Sequence, residues 1–320
     1  MLHVTDYKSI PWATAAIQST ATMACLSDYI LSLILGIVEG LTEFLPVSST
    51  AHLRIAEALL GMDLGDGYWK MFSIVIQLGA ILCLPIYFWN RIVRFFQTFP
   101  GGSSGKKTIF THPISLTAFA FIATSATSLP LIKVIGKNLE SKTEMGLSLL
   151  ICGIVMWVVD VRYGRPQEGV SESMAADELE HMTIAQSVWI GLCQTLAPVF
   201  PGTSRSMATI AAGEVSGLSR SAALEFSFLL SIPTMVASSG YDLFKYLRPT
   251  HEAGGPPVGR PDIDAHGWAL LAVGFVMSFV VAFAVIAWFM NWVRTRGFTP
   301  FAIYRILAGA AVLVWALSTH

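Results

Sequence analysis

Apolar runs of about twenty residues recur along this chain, and each is long enough to cross a bilayer as a helix. They fall at roughly 71–90, 113–133, 143–161, 221–245, 267–292 and 299–318. Hydrophobic residues make up 54% of the 320 residues and charged residues 13%, against about 25% charged in soluble domains. The strict alternation of a barrel strand is absent, which argues against an outer-membrane barrel. The chain is therefore expected to be an all-α polytopic membrane protein. Its formal net charge of -1 gives no reason to invoke nucleic acid. Cys25, Cys83, Cys152 and Cys193 are dispersed and form no C-x-x-C pair, so they read as small packing residues.

One stretch interrupts the apolar pattern. Gly36 to Leu53 reads GIVEGLTEFLPVSSTAHL. Glu39 and Glu43 are four residues apart and share a helix face. Pro46 stops that helix, and Ser48, Ser49 and Thr50 supply caps for a second one, with His52 in its first turn. Burying two acids and a histidine in apolar surroundings costs several kcal/mol unless they are paired, metal-bound or wet. Neither flanking segment is long enough to span alone. A re-entrant helix–break–helix is expected, because broken backbone is tolerated at membrane depth where it lines a cavity.

A second break lies within 183–218, where Gly191 to Ser206 reads GLCQTLAPVFPGTSRS. A constant displacement aligns Gly36 with Gly191, Glu39 with Gln194, Pro46 with Pro201 and Ser49 with Ser204, and nearly aligns Phe72-Ser73 with Phe226-Ser227. Three spans follow each break. The chain thus divides into an N-terminal extension (1–27), a first membrane repeat (28–162), an acidic cytoplasmic loop (163–182) and a second membrane repeat (183–320). An odd number of crossings per half inverts one half against the other. The expected architecture is two inverted-topology repeats, each a re-entrant element plus three transmembrane helices, with the break tips meeting near the midplane. Arg91, Arg94, Lys106 and Lys107, then Arg162 and Arg165, then Arg294 and Arg296 follow three of the spans and mark the cytoplasmic side. Lys133, Lys137, Lys142, Lys245, Arg248 and Arg260 near the opposite loops make that bias modest. The run Glu252 to Pro261 reads as an outer loop.

The second tip, PGTSRSMAT, carries Thr203, Ser204, Arg205, Ser206 and Thr209. Both tips present helix N-termini, which favour anions, and the guanidinium of Arg205 is a planar fork suited to phosphate oxygens. Two acids do not bind phosphate unaided. A divalent cation, Mg²⁺ or Ca²⁺, held by Glu39 and Glu43 reconciles them; the alternatives are protonation or pairing with Arg205. Ser49 is a candidate nucleophile, phosphate ligand or plain cap, and His52 a candidate acid, base or nucleophile, or a hydrogen-bonded structural histidine. Gln77 on the next span is a candidate phosphate ligand or an interhelical hydrogen-bonding residue. Glu225 and Asp160, near span ends, read as structural, and Arg54 with Glu57 as a local pair.

These motifs resemble the undecaprenyl-pyrophosphate phosphatase family, also called the bacitracin-resistance protein family. The resemblance rests on EGLTE, PVSSTAHL, VIQLGAI around Gln77, PGTSRSMAT and EFSFLLSIPTM from Glu225, and covers nearly all of the chain after the extension. It implies removal of the terminal phosphate from undecaprenyl pyrophosphate, which returns the lipid carrier for wall polymers and confers bacitracin resistance. It also implies a divalent cation, a bacterial plasma-membrane location with the site open to the outer face, and a polyprenyl pyrophosphate lipid as substrate. Carried over by motif, the catalytic residues are Glu39, Glu43, Ser49, His52 and Arg205. Around the phosphate lie Ser48, Thr50, Thr203, Ser204, Ser206, Thr209 and Gln77. The chain departs from the family pattern at Ala51 and Met207, where glycine is usual. Met207 is expected to narrow the phosphate tip.

In the expected reaction, Glu39 and Glu43 hold the cation, Arg205 and the tip N–H groups stabilise charge, and Ser49 or water attacks while His52 handles protons. Broken inverted repeats are also transporter architecture, so a flippase of the monophosphate carrier is the rival. A flippase needs no nucleophile or base. The phosphatidic-acid-phosphatase type is rejected because Ser204 to Leu218 has no second histidine. The sequence leaves the oligomeric state open, a homo-oligomer included.

Overall fold

The computed structural model describes residues 11–62, 67–103, 105–131, 141–164, 178–247 and 263–318. All regular structure among the described residues is helical. In chain order the helices are α1 (Pro11–Thr42), α2 (Ser49–Leu60), α3 (Gly67–Tyr87), α4 (Trp89–Thr98), α5 (Pro113–Leu131) and α6 (Lys142–Tyr163). Then come α7 (Ile184–Gln194), α8 (Leu196–Val199), α9 (Arg205–Val215), α10 (Arg220–Leu247), α11 (Ala265–Arg296) and α12 (Thr299–Ser318). Six of them, α3, α5, α6, α10, α11 and α12, are long and apolar enough to cross a membrane, and they coincide with the six spans expected from sequence. The protein is multi-pass. α1 begins within the N-terminal extension and runs through Asp28 as one helix. The acidic run from Glu168 to Asp177, the run Glu252 to Pro261, and Lys133, Lys137, Arg165, Arg248 and Arg260 lie outside the described residues.

The two halves exchange partners. α1 packs on α11 of the second half, and α7 packs on α5 of the first. Small residues at aligned positions make both contacts close. A side chain at Gly36 would meet the Gly274 carbonyl at 2.7 Å, and one at Gly191 would meet the backbone of Ala120. One turn earlier, the Ser32 hydroxyl donates to the Leu270 carbonyl and the Ser187 hydroxyl to the Leu116 carbonyl. Small residues that let backbones approach, with hydroxyls bridging helices, are how helices adhere without a hydrophobic drive between them. α3 against α10 and α6 against α12 complete the pairing.

Polar anchors gather at opposite ends of the bundle. At one end Asp160, closing α6, accepts from Arg220 Nε at 2.7 Å, from the backbone N–H groups of Phe298 and Thr299, and from the Thr299 hydroxyl. Arg91, opening α4, pairs with Glu225 of α10 at 3.0 Å. Asp160 and Glu225 are thus structural. At the other end the Tyr68 hydroxyl of α3 donates to the Gly267 carbonyl of α11, and Asp28 of α1 meets His266 at 3.3 Å. α1 therefore approaches its tip from the end carrying Asp28, and α7 approaches from the end carrying Asp160.

Candidate active site

Each broken element ends in the same backbone device. α2 and α9 begin after Ser48 and Ser204, which have φ of 76° and 66°. They are the two non-glycine residues with positive φ among the described residues. Such conformations cost on the order of 1–3 kcal/mol and persist where the surroundings over-determine them, commonly at functional sites. The caps shift the alignment of the repeats by one residue: Ser48, not Ser49, matches Ser204, because the second tip has an additional residue between its proline and its cap. Ser49 and Arg205 then occupy equivalent first positions of α2 and α9. Gly202 provides the extra turn at φ 94°, where a side chain would strike the Met145 carbonyl at 2.8 Å.

The tips touch. Ser206 Oγ donates to the Leu45 carbonyl at 3.1 Å. Glu43, the residue after the end of α1, still donates its N–H to the Glu39 carbonyl at 2.9 Å, so both acids keep a common helical face. Ser49 Oγ donates to Glu43 Oε2 at 2.5 Å. Arg205 Nη2 donates to Glu43 Oε1 at 3.3 Å, and its Nη1 donates to the Ser231 hydroxyl of α10. A hydroxyl from one tip and a guanidinium from the other thus converge on one carboxylate that is 7% exposed.

Both carboxylate oxygens of Glu39 are buried without a hydrogen-bond partner among the described residues. Unspent lone pairs beside a second acid fit a divalent cation, which takes carboxylate oxygens and shares its other positions with phosphate and water. No group of three His, Cys, Asp or Glu side chains that could hold a metal ion forms among the described residues; Glu39 and Glu43 would be two protein ligands.

His52 takes other partners than that carboxylate. Its Nδ1 lies 2.8 Å from the Ser48 carbonyl and its Nε2 2.6 Å from the hydroxyl of Tyr304 on α12, whose ring it stacks against. Thr50 is exposed at the start of α2. Ser48 makes no side-chain capping bond, whereas Ser204 accepts from the Met207 N–H at 3.4 Å and lies 3.0 Å from Ser206 Oγ. Thr209 is committed to the Arg205 and Ser206 carbonyls and to Ser227 at 2.6 Å. Thr203 takes a contact from Cys152 at 3.8 Å. Gln77 accepts from Ser239 of α10 at 2.9 Å, the interhelical bond of its second reading. Arg54 and Glu57 form the expected local pair at 2.9 Å.

Met207 packs among apolar side chains. It is 3% exposed, in an apolar cluster with Phe44 and Val47 of the first break and Phe228 of α10. Ala51 is buried beside Met145, Leu149 and Val312.

Sequence reasoning misses Arg305. It is wholly buried in α12 and donates to the Pro46 carbonyl at 3.0 Å, the Gly202 carbonyl at 2.8 Å and the Thr203 carbonyl at 3.1 Å. One side chain therefore ties both tips together. A signal for it exists: an arginine inside a twenty-residue apolar span is a functional candidate by default.

The chain matches a family model and curated relatives over most of its length. The family model described as bacitracin resistance protein BacA matches residues 32–311. An undecaprenyl-diphosphatase of Koribacter versatilis is 61% identical over 292 residues, covering 91% of this chain and 99% of that protein. One from Novosphingobium aromaticivorans is 40% identical, covering 91% and 98%. One from Thermus thermophilus is 37% identical, covering 87% and 94%. The family match begins within α1 and ends within α12, so both tips lie inside the shared region. The chain belongs to the bacitracin resistance protein BacA family.

Proposed function

We propose that this protein is an undecaprenyl-diphosphatase, which cleaves the terminal phosphate from undecaprenyl pyrophosphate and returns the monophosphate carrier to wall-polymer synthesis. The observation that carries the reading is the contact of Ser49 with Glu43, a hydroxyl held against a buried carboxylate with Arg205 on the other oxygen. A carrier flippase, the rival reading, has no use for a hydroxyl set against a base.

Glu43 accepts the Ser49 proton as Oγ bonds to the terminal phosphorus and the bridging P–O bond breaks. Undecaprenyl phosphate leaves with the bonding pair. Arg205 and the N–H groups opening α2 and α9 stabilise charge on the transferring oxygens, already oriented before the reaction begins. His52 takes a proton from the water that attacks phosphoserine, and Ser49 Oγ recovers its proton from Glu43 as phosphate departs. Glu39 and Glu43 would hold a divalent cation, which would supply charge neutralisation for the pyrophosphate oxygens. The Ser231 hydroxyl of α10 holds the Arg205 guanidinium from its other nitrogen.

The exchanged partners, α1 on α11 and α7 on α5, support reading the halves as inverted repeats. Arg91, Arg94, Arg162 and Arg296 cluster in sequence at the Asp160 end, which supports placing that end in the cytoplasm. The first tip is then entered from the outer face of the bacterial plasma membrane, with the prenyl chain in lipid.

The test is phosphate release from undecaprenyl pyrophosphate by purified protein, with and without chelator, together with mass analysis of rapidly quenched enzyme. Cation-dependent release and a phosphorylated Ser49 peptide are expected, and both are absent in Ser49→Ala. Near-normal release by Ser49→Ala would assign the attack to water. No release by the intact protein would return the flippase reading.

A further inference from the structure

Tyr304 lies outside both break motifs, on the last helix, yet it makes the hydrogen bond to Nε2 of His52. The Ser48 carbonyl, 2.8 Å from Nδ1, can only accept, so Nδ1 carries a proton. In the neutral ring Nε2 is then the acceptor, and the Tyr304 hydroxyl at 2.6 Å donates to it. The two rings stack at an interplanar angle of 16°, which fixes the imidazole plane. Tautomer, plane and lone-pair direction of His52 are therefore all set, one of them by a backbone carbonyl and the others by Tyr304.

We propose that Tyr304 is the positioning residue for His52: its hydroxyl holds the place that the attacking water takes in dephosphorylation of Ser49, and keeps Nε2 as the proton acceptor. The inference rests on the reading of His52 as the proton carrier. The hydroxyl has a free rotor and about half of the residue is exposed, so it can turn to a phosphate oxygen or to water when the phosphoenzyme forms. His52 and Ser49 sit one helical turn apart on α2, so water held by Nε2 stays close to the serine. The neighbouring Arg305 makes α12 a bracket for the whole site: one residue fixes the two backbones, the next fixes the base.

Tyr304→Phe keeps the ring and removes only the donor. Turnover is expected to fall roughly tenfold with KM within about twofold of wild type, because the lost interaction acts on the proton-transfer step and not on substrate binding. In a His52→Ala background the same change is expected to have no further effect. Nitrogen-15 shifts of labelled His52 are expected to report the Nδ1–H tautomer in both proteins, held by the Ser48 carbonyl, with the Nε2 resonance displaced in Tyr304→Phe by loss of its donor, a readout independent of turnover. Wild-type turnover in Tyr304→Phe, a further loss in the His52→Ala background, or an Nε2–H tautomer in the wild type each overturns the proposal while leaving His52 as proton carrier. Wild-type turnover in His52→Ala overturns the proton-carrier reading and this inference with it.

Discussion

Ser49 Oγ and Glu43 Oε2 are 2.5 Å apart, although a proline, a helix break and a positive-φ residue separate them in the chain. The break brings them together: α1 ends at Thr42, the chain turns through Pro46 and Ser48, and α2 starts at Ser49. A general base in contact with a nucleophile typically contributes about 10²–10⁴-fold. Glu43→Gln is expected to lose at least about a hundredfold in turnover while retaining a hydrogen bond to Ser49. Steady-state phosphate release by Glu43→Gln and Glu43→Asp checks this; near-wild-type turnover in Glu43→Gln would remove Glu43 as the base.

Glu39 differs from Glu43 in having no hydrogen-bond partner among the described residues. If a cation takes its oxygens, Glu39→Gln weakens the cation and leaves the Ser49 contact intact. The expected result is a rise of about tenfold or more in the cation concentration for half-maximal activity, with much of the maximal rate recovered at saturation. A cation titration of both proteins measures it. An unchanged midpoint would assign Glu39 a structural role.

Arg305 spans three backbone carbonyls from two distant segments. Arg305→Met leaves those buried acceptors unpaired, at about 1–3 kcal/mol each. A clear fall in the melting temperature in detergent is expected, with loss of activity at temperatures where the fold persists. Arg305→Lys is expected to fall between, since one ammonium cannot reproduce the fork. A melt indistinguishable from wild type in Arg305→Met would contradict the clamp.

Met207 fills apolar space between Phe44, Val47 and Phe228. Met207→Gly is expected to cost about 2–5 kcal/mol from the cavity, plus about 1 kcal/mol for glycine inside a helix. Restoring the family's usual glycine alone is therefore destabilising in this chain. A lower melting temperature with no gain in turnover is the expected outcome. Faster turnover with an unchanged melt would return Met207 to the phosphate tip.

Most of this architecture is legible in the sequence because its determinants are local. Twenty-residue apolar runs mark the six spans, and EGLTE–PVSST and PGTSRS mark both tips. Three things are not local. The one-residue shift between the repeats becomes visible only once the backbone shows Ser48 and Ser204 to be the caps. The roles of Tyr304 and Arg305 depend on α12 crossing both tips from more than a hundred residues away in sequence. Gln77 and Thr209 carry polar groups that suit phosphate, and only the positions of Ser239 and Ser227 show them engaged within the protein.

The most direct test of the central claim, that both tips form one phosphatase centre around Glu43, is a turnover cycle on undecaprenyl pyrophosphate. It uses wild type, Glu43→Gln, Arg205→Ala and the double variant, each confirmed as folded. Residues acting as a unit are strongly non-additive. The account predicts at least about a hundredfold loss in each single variant and a double variant no slower than the slower single. Fully multiplying losses, or an Arg205→Ala enzyme as fast as wild type, would contradict it.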